Sequence, residues 1–131
     1  MNNRLDNLLR DPSLLTPALV LDFDSIDTTY LRFLSAFPGA DIFYAMKANA
    51  HPQVVKRIAE LGGGFEIASL AELELALSAG AMGERILCSN PIKNTAFLQR
   101  MHGVGVYAMV VDSTYEIEKV ARHAPGSRVY I

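Results

Sequence analysis

Apolar and polar positions follow a repeating order along much of this chain. Short apolar runs begin near Asp41, Phe65, Arg85, Val106 and Arg128. Runs of this length, rich in strand-favouring residues and bounded by turn signals, read as strands buried on both faces. Between them the apolar residues fall at helical spacing: Val54, Val55, Ile58 and Ala59; Leu70, Leu73 and Leu77; Phe97, Leu98 and Met101; Ile117, Val120, Ala121 and Ala124. The units recur at roughly two dozen residues or slightly fewer, the length of one compact strand-helix unit.

Helix punctuation agrees with this reading. Pro52 suits a first helical position, and Ser69-Leu70-Ala71-Glu72 and Ser113-Thr114-Tyr115-Glu116 both fit the capping box, in which the serine caps the amides and the glutamate reaches back. Gly62, Gly80, Gly103 and Gly126 fall at or just past the predicted helix ends, where a left-handed residue is wanted. Ahead of these units, Leu5, Leu8 and Leu9 predict a short amphipathic arm within residues 1–15, stopped by Asp11-Pro12. Ala18-Leu19-Val20-Leu21-Asp22-Phe23 predicts a first strand, with Asp24 or Ser25 capping the helix after it. That helix carries a broad apolar face of Ile26, Tyr30, Leu31, Phe33, Leu34 and Phe37, and Pro38-Gly39 ends it.

Strand-helix alternation with short connections implies an α/β fold with a parallel sheet and right-handed crossovers, either doubly wound or a barrel. Gly62-Gly63-Gly64 precedes a strand instead of opening a helix, so it reads as a helix stop and tight turn, not as a phosphate-binding loop. The expected architecture is the first half of a (β/α)8 TIM-type barrel over residues 16–131. Closure takes eight units and about 250 residues, whereas this pattern contains four units and the opening of a fifth strand at Arg128-Val129-Tyr130-Ile131.

Composition narrows the function classes. Half of the 131 residues are hydrophobic, enough for a sizeable core, and a net charge of -2 gives no electrostatic reason to expect nucleic acid or an acidic membrane as partner. Cys88 has no second cysteine to pair with, the first residues lead into no apolar signal core, and no apolar run approaches membrane-spanning length. The expected setting is a reducing cytoplasm and the expected partner a small molecule.

The candidate chemistry centres on Lys47, which directly follows the apolar run Ile42-Phe43-Tyr44-Ala45-Met46. In an α/β barrel the strand carboxyl ends line the ligand cavity, and a partly desolvated lysine there favours its nucleophilic, neutral form. The bland alternative is a strand's exit into solvent. No metal-ligand spacing and no Ser/His/Asp set is found. Cys88 reads as a small core residue, His51 as a loop or helix-start residue, and His102 and His123 as helix-end residues that complement the dipole.

Phe43-Tyr44-Ala45-Met46-Lys47-Ala48-Asn49, then Gly64-Phe65-Glu66-Ile67-Ala68-Ser69 with Ala71-Glu72-Leu73, then Arg85-Ile86-Leu87 with Asn90-Pro91-Ile92-Lys93, strongly resemble the ornithine and diaminopimelate decarboxylase family. The resemblance runs from about Thr16 to Ile131, and the Asn-Pro-x-Lys pattern leans toward the ornithine and lysine branch. Thr16-Pro17-Ala18-Leu19-Val20-Leu21-Asp22 is also similar to the opening of some related aldolases and racemases. The resemblance implies an alanine-racemase-like barrel that binds pyridoxal 5'-phosphate, followed by a second β domain and acting as a homodimer.

On the same resemblance Lys47 is the Schiff-base lysine. Glu66 matches an acidic position beside the cofactor where the family usually has Asp, Glu72 matches a second recurrent acid, and Ala45 matches a small residue lining the pocket. The implied function is decarboxylation of an amino acid, most readily a basic one such as ornithine or lysine. The alternatives are a racemase on the same barrel and a catalytically silent homologue that binds a regulatory partner or the cofactor. The remaining catalytic groups of the family lie in later segments, so a complementary polypeptide or the remainder of the protein is expected to supply them.

Overall fold

The computed structural model describes residues 3–131. Met1 and Asn2, part of the arm expected over residues 1–15, lie outside the described residues. The arm contains α1 (Asn3–Leu9), and an ion pair between Arg4 and Asp24 joins it to the start of α2 (Phe23–Ala36). From there strands and helices alternate: β1 (Phe43–Ala45), α3 (Pro52–Glu60), β2 (Gly64–Ile67), α4 (Leu70–Ser78), β3 (Ile86–Cys88), α5 (Thr95–Gly103), β4 (Ala108–Val110), α6 (Thr114–His123) and β5 (Val129–Tyr130). Each strand begins within two residues of an apolar run read from the sequence.

The five strands are parallel and pair in the order β1-β2-β3-β4-β5. A sequential order without reversal, joined by right-handed crossovers, sends every connecting helix to the same side. This is the winding of a barrel, because a doubly wound sheet reverses its order at a switch point. Burial follows the same division. On one face Phe65, Ile67, Ile86, Cys88 and Met109 are buried against Val54, Val55, Ile58, Leu73, Ala76, Leu98 and Met101 from the helices. The register places Ala45, Glu66, Leu87 and Ala108 side by side on the other face. Ala45, Glu66 and Leu87 there are only half-buried.

The Gly62–Gly64 turn lets β2 follow α3 closely. Gly62 has φ 83°, a left-handed conformation, and stops the helix by donating its N–H to Ala59 O at 2.9 Å. A Cβ on Gly64 would lie 2.6 Å from Phe43 Cδ1 and 2.7 Å from Arg85 O, so only glycine allows β1 and β2 to approach as they do. Neighbouring helices are linked outside by Arg57 to Asp27 and Arg100 to Glu74, each with an Nε–O distance of 2.7 Å. These hydrogen bonds hold both carboxyls below their ordinary range.

Three expectations are corrected. Gly103 is the last residue of α5 and is not left-handed; Gly105, with φ 69°, takes that place two residues on. Residues 18–22 form no strand, and α2 begins at Phe23, capped by Asp22 instead of Asp24 or Ser25. A strand exists through its ladder, and no segment among the described residues pairs with 18–22. The broad apolar face of α2 is also largely open. Tyr30 is buried and Ile26 half-buried, but Leu31, Phe33, Leu34 and Phe37 are exposed. No helix among the described residues is long and apolar enough to cross a membrane.

Candidate functional site

The carboxyl ends of β1, β2 and β3 bring the sequence-predicted residues to one end of the sheet. After Ala45 the chain makes a 3-10 turn over Met46–Ala48. Met46 is fully buried and anchors this turn, which leaves Lys47 exposed. The next loop is fixed by polar contacts. The Tyr44 hydroxyl donates to Asn49 O at 3.1 Å, the His51 N–H donates to Asn49 Oδ1 at 3.0 Å, and Gln53 N–H donates to His51 Nδ1 at 3.3 Å. His51 is thus the N-cap of α3, with Pro52 at its first turn. Burial raises the Tyr44 phenol above its ordinary 10.0, which keeps it a neutral donor.

Lys47 makes no ion pair or hydrogen bond among the described residues. Lys47 is exposed, so the described residues do not supply the partial desolvation expected of it. In register with Ala45, Glu66 carries a carboxylate on the neighbouring strand, and its Oε1 accepts a hydrogen bond from the Ser89 hydroxyl. Glu72 lies one turn further on. Its N–H donates to Ser69 Oγ at 3.2 Å, but its Oε2 accepts from Ala68 N at 2.6 Å, one residue before the amide that a capping box would use. The Glu72 carboxylate therefore orders the turn between β2 and α4.

The loop after β3 contains a group that the sequence reading did not single out by itself. Lys93 is buried, and its Nζ donates to Asn90 O at 3.1 Å, Pro91 O at 3.0 Å and Val110 O at 2.7 Å. Glu116 Oε2 lies 3.6 Å away, while Glu116 Oε1 accepts from Lys119. Burial raises the Glu116 carboxyl, but the hydrogen bond and charge of Lys119 together with the charge of Lys93 outweigh it, and the net shift is downward from 4.5. The Ser113 hydroxyl still accepts from Glu116 N at 3.3 Å, so only half of the expected second capping box forms. The Asn-Pro-x-Lys pattern marks this lysine in the sequence, but not its burial. Cys88 is a buried core residue, and burial pushes its thiol up from 9.0.

The donor set fits pyridoxal phosphate at one position. An aldehyde-bearing cofactor needs an accessible primary amine, and Lys47 offers one while Lys93 is closed off by three carbonyls. Ala45 presents a small side chain on the same face, and its register partner Glu66 places a carboxylate on the neighbouring strand. Among the described residues no group of three or more His, Cys, Asp or Glu is placed to hold a metal ion.

Comparison with known proteins agrees. Residues 23–131 match the family model for pyridoxal-dependent decarboxylase, pyridoxal binding domain. Antizyme inhibitor 2 of Xenopus laevis is 39% identical over 86% of this chain and 25% of its own length. Diaminopimelate decarboxylase of Deinococcus radiodurans is 40% identical over 88% of this chain and 30% of its own length. The crystal structure of lysine decarboxylase from Selenomonas ruminantium superposes with a TM-score of 0.85 at 31% identity, covering 98% of this chain and 33% of that one. The same figures hold for SrLDC in complex with PLP and cadaverine. The chain thus spans between 25% and 33% of the length of these relatives.

Proposed function

This chain belongs to the pyridoxal-dependent decarboxylase family, whose pyridoxal-binding domain it matches, and from that premise we propose that it serves the decarboxylation of a basic amino acid such as ornithine or lysine, with Lys47 holding the cofactor. The observation that carries this reading is the exposed amine of Lys47 at the tip of β1, unclaimed by any described residue, beside Ala45 and Glu66 in register. SrLDC in complex with cadaverine supports a diamine as the product class.

Pyridoxal phosphate, when bound, supplies an electron sink for bond breaking at the substrate α-carbon. This chain's residues supply attachment and placement. Lys47 Nζ is the attaching amine, held at the strand tip by buried Met46 and by the braced loop that runs to His51. Ala45 leaves room where a larger side chain would intrude. Glu66 presents a carboxylate to the same face, and Glu72 keeps the β2 tip in place through the Ala68 amide. Further polypeptide completes the barrel, covers Lys47 from water and brings the remaining groups of a homodimeric enzyme.

The test is borohydride reduction of the complete protein followed by peptide mapping. The cofactor mass is expected on the peptide containing Lys47, and Lys47→Ala is expected to abolish both attachment and release of carbon dioxide. An adduct on Lys56, Lys93 or Lys119 would overturn the assignment. A second reading, a homologue that binds partners without turnover, is favoured by the 39% identity to antizyme inhibitor 2. Cofactor fixed at Lys47 with no carbon dioxide from any amino acid would select it.

A further inference from the structure

The loop that follows β3 is far more rigidly held than a connecting loop requires. Ser89 N–H donates to Ile67 O at 3.1 Å and extends the ladder one residue past β3. Asn90 then bridges sideways, its Nδ2 donating to Ala68 O at 2.9 Å while its Oδ1 accepts from Ile92 N at 3.1 Å. Lys93 closes the loop from below through the carbonyls of Asn90, Pro91 and Val110. None of these contacts involves Glu66, so they fix Ser89 independently of that carboxylate.

Ser89 lies two residues beyond Leu87, and Leu87 is the register partner of Glu66. Two residues along a strand return to the same face. The serine hydroxyl therefore stands on the face of Glu66, one step nearer the strand tips, and donates to Glu66 Oε1. A glutamate has three side-chain torsions, and a carboxylate with no fixed donor samples several of their combinations. A donor already locked in place selects one of them without an ordering cost of its own.

We propose that Ser89 is a positioning residue for Glu66, holding one carboxylate oxygen so that the other is presented to the cofactor attached at Lys47. The inference rests on the reading that Glu66 faces that cofactor. A hydrogen bond to a charged group, at the lower end of its usual contribution, corresponds to about a tenfold effect on what the carboxylate binds.

The experiment titrates the complete apoprotein with pyridoxal phosphate and follows absorbance, alongside thermal melting of the same apoprotein. Ser89→Ala is expected to weaken cofactor binding about tenfold while lowering the melting temperature by no more than a few degrees, roughly 2–4 °C. Ser89→Thr, which keeps the hydroxyl, is expected to restore binding to within about twofold. In a Glu66→Ala background, Ser89→Ala is expected to have no further effect, because two residues acting as a unit are non-additive. Equal losses in both backgrounds, or no loss on Ser89→Ala, would overturn the positioning role while leaving Lys47 intact as the attachment point. Borohydride mapping on the same samples separates the two readings, since an adduct away from Lys47 overturns both.

Discussion

The ammonium of Lys93 lies 2.7 Å from the carbonyl oxygen of Val110, tying the loop after β3 to the carboxyl end of β4. With Asn90 O and Pro91 O it completes a cage of three backbone acceptors. Lys47, two strands away at the tip of β1, has no such partners among the described residues. Two lysines at the same end of one sheet are thus set apart by environment, one serving the fold and the other available for chemistry.

Stability should divide in the same way. Lys93→Met leaves three partly buried carbonyls without this donor and the buried Glu116 with one cation fewer, a loss on the order of 3 kcal/mol. Lys47→Ala removes a side chain with no hydrogen bond or ion pair among the described residues and should cost the cofactor-free protein less than about 1 kcal/mol. Urea unfolding of the complete apoprotein measures both, and equal midpoints would contradict the assigned roles.

Acid should weaken the network around Glu116. Its folded-state pKa is depressed below the ordinary 4.5, because Lys119 and Lys93 outweigh the burial that acts in the opposite direction. A depressed carboxyl contributes stability that is fully present above its unfolded value and is lost as pH falls through its folded value. The stability gap between the native protein and Glu116→Gln should therefore be widest near neutral pH and close below about pH 4. A gap that widens on acidification would show the sign to be wrong.

Gly64→Ala should prevent β1 and β2 from pairing as closely as they do. The added methyl would meet the Phe43 ring and, less yieldingly, the Arg85 carbonyl. Overpacking of this kind costs about 1–3 kcal/mol. A melting temperature equal to that of the native protein would mean that the strands separate more easily than this geometry allows.

The 131-residue chain studied alone should associate. Phe33 and Phe37 on α2 are more than half exposed, and β5 ends the sheet with Val129 and Tyr130 open to solvent. An unpaired parallel edge beside a broad apolar surface favours pairing with another chain. Light scattering should give a mass above the monomer's 14.3 kDa, and a monomeric, sharply melting sample would argue against this.

What could be read in the sequence was local. Strand positions, the His51 and Ser69 caps and the helix stop at Gly62 follow from residue type and spacing within a few positions. Lys47 is found at its strand tip for the same reason. What could not be read depends on distant partners. The run at 18–22 has the residues of a strand but no pairing neighbour among the described residues, and the apolar face of α2 is largely exposed. Glu116 fits a capping box by its spacing, yet its carboxylate goes to two lysines, one of them 23 residues earlier in the chain. The burial of Lys93 arises only where three carbonyls converge. The accessibility of Lys47 likewise depends on what lies over the sheet, not on its own neighbours in the chain.

The order of strand pairing also bears on how the protein is made. Phe43 pairs with Gly64, Phe65 with Ile86 and Leu87 with Ala108, each 21 residues on, and Met109 pairs with Val129, 20 residues on. Among the described strands none waits for a remote partner, so contact order is low for a parallel sheet and the entropy of closing each of these loops stays nearly constant. Translation at about 5–20 residues per second delivers each new strand roughly one to four seconds after the strand it joins. The sheet can therefore be laid down from β1 outward as the chain emerges from the ribosome, its growing edge always the strand most recently synthesised.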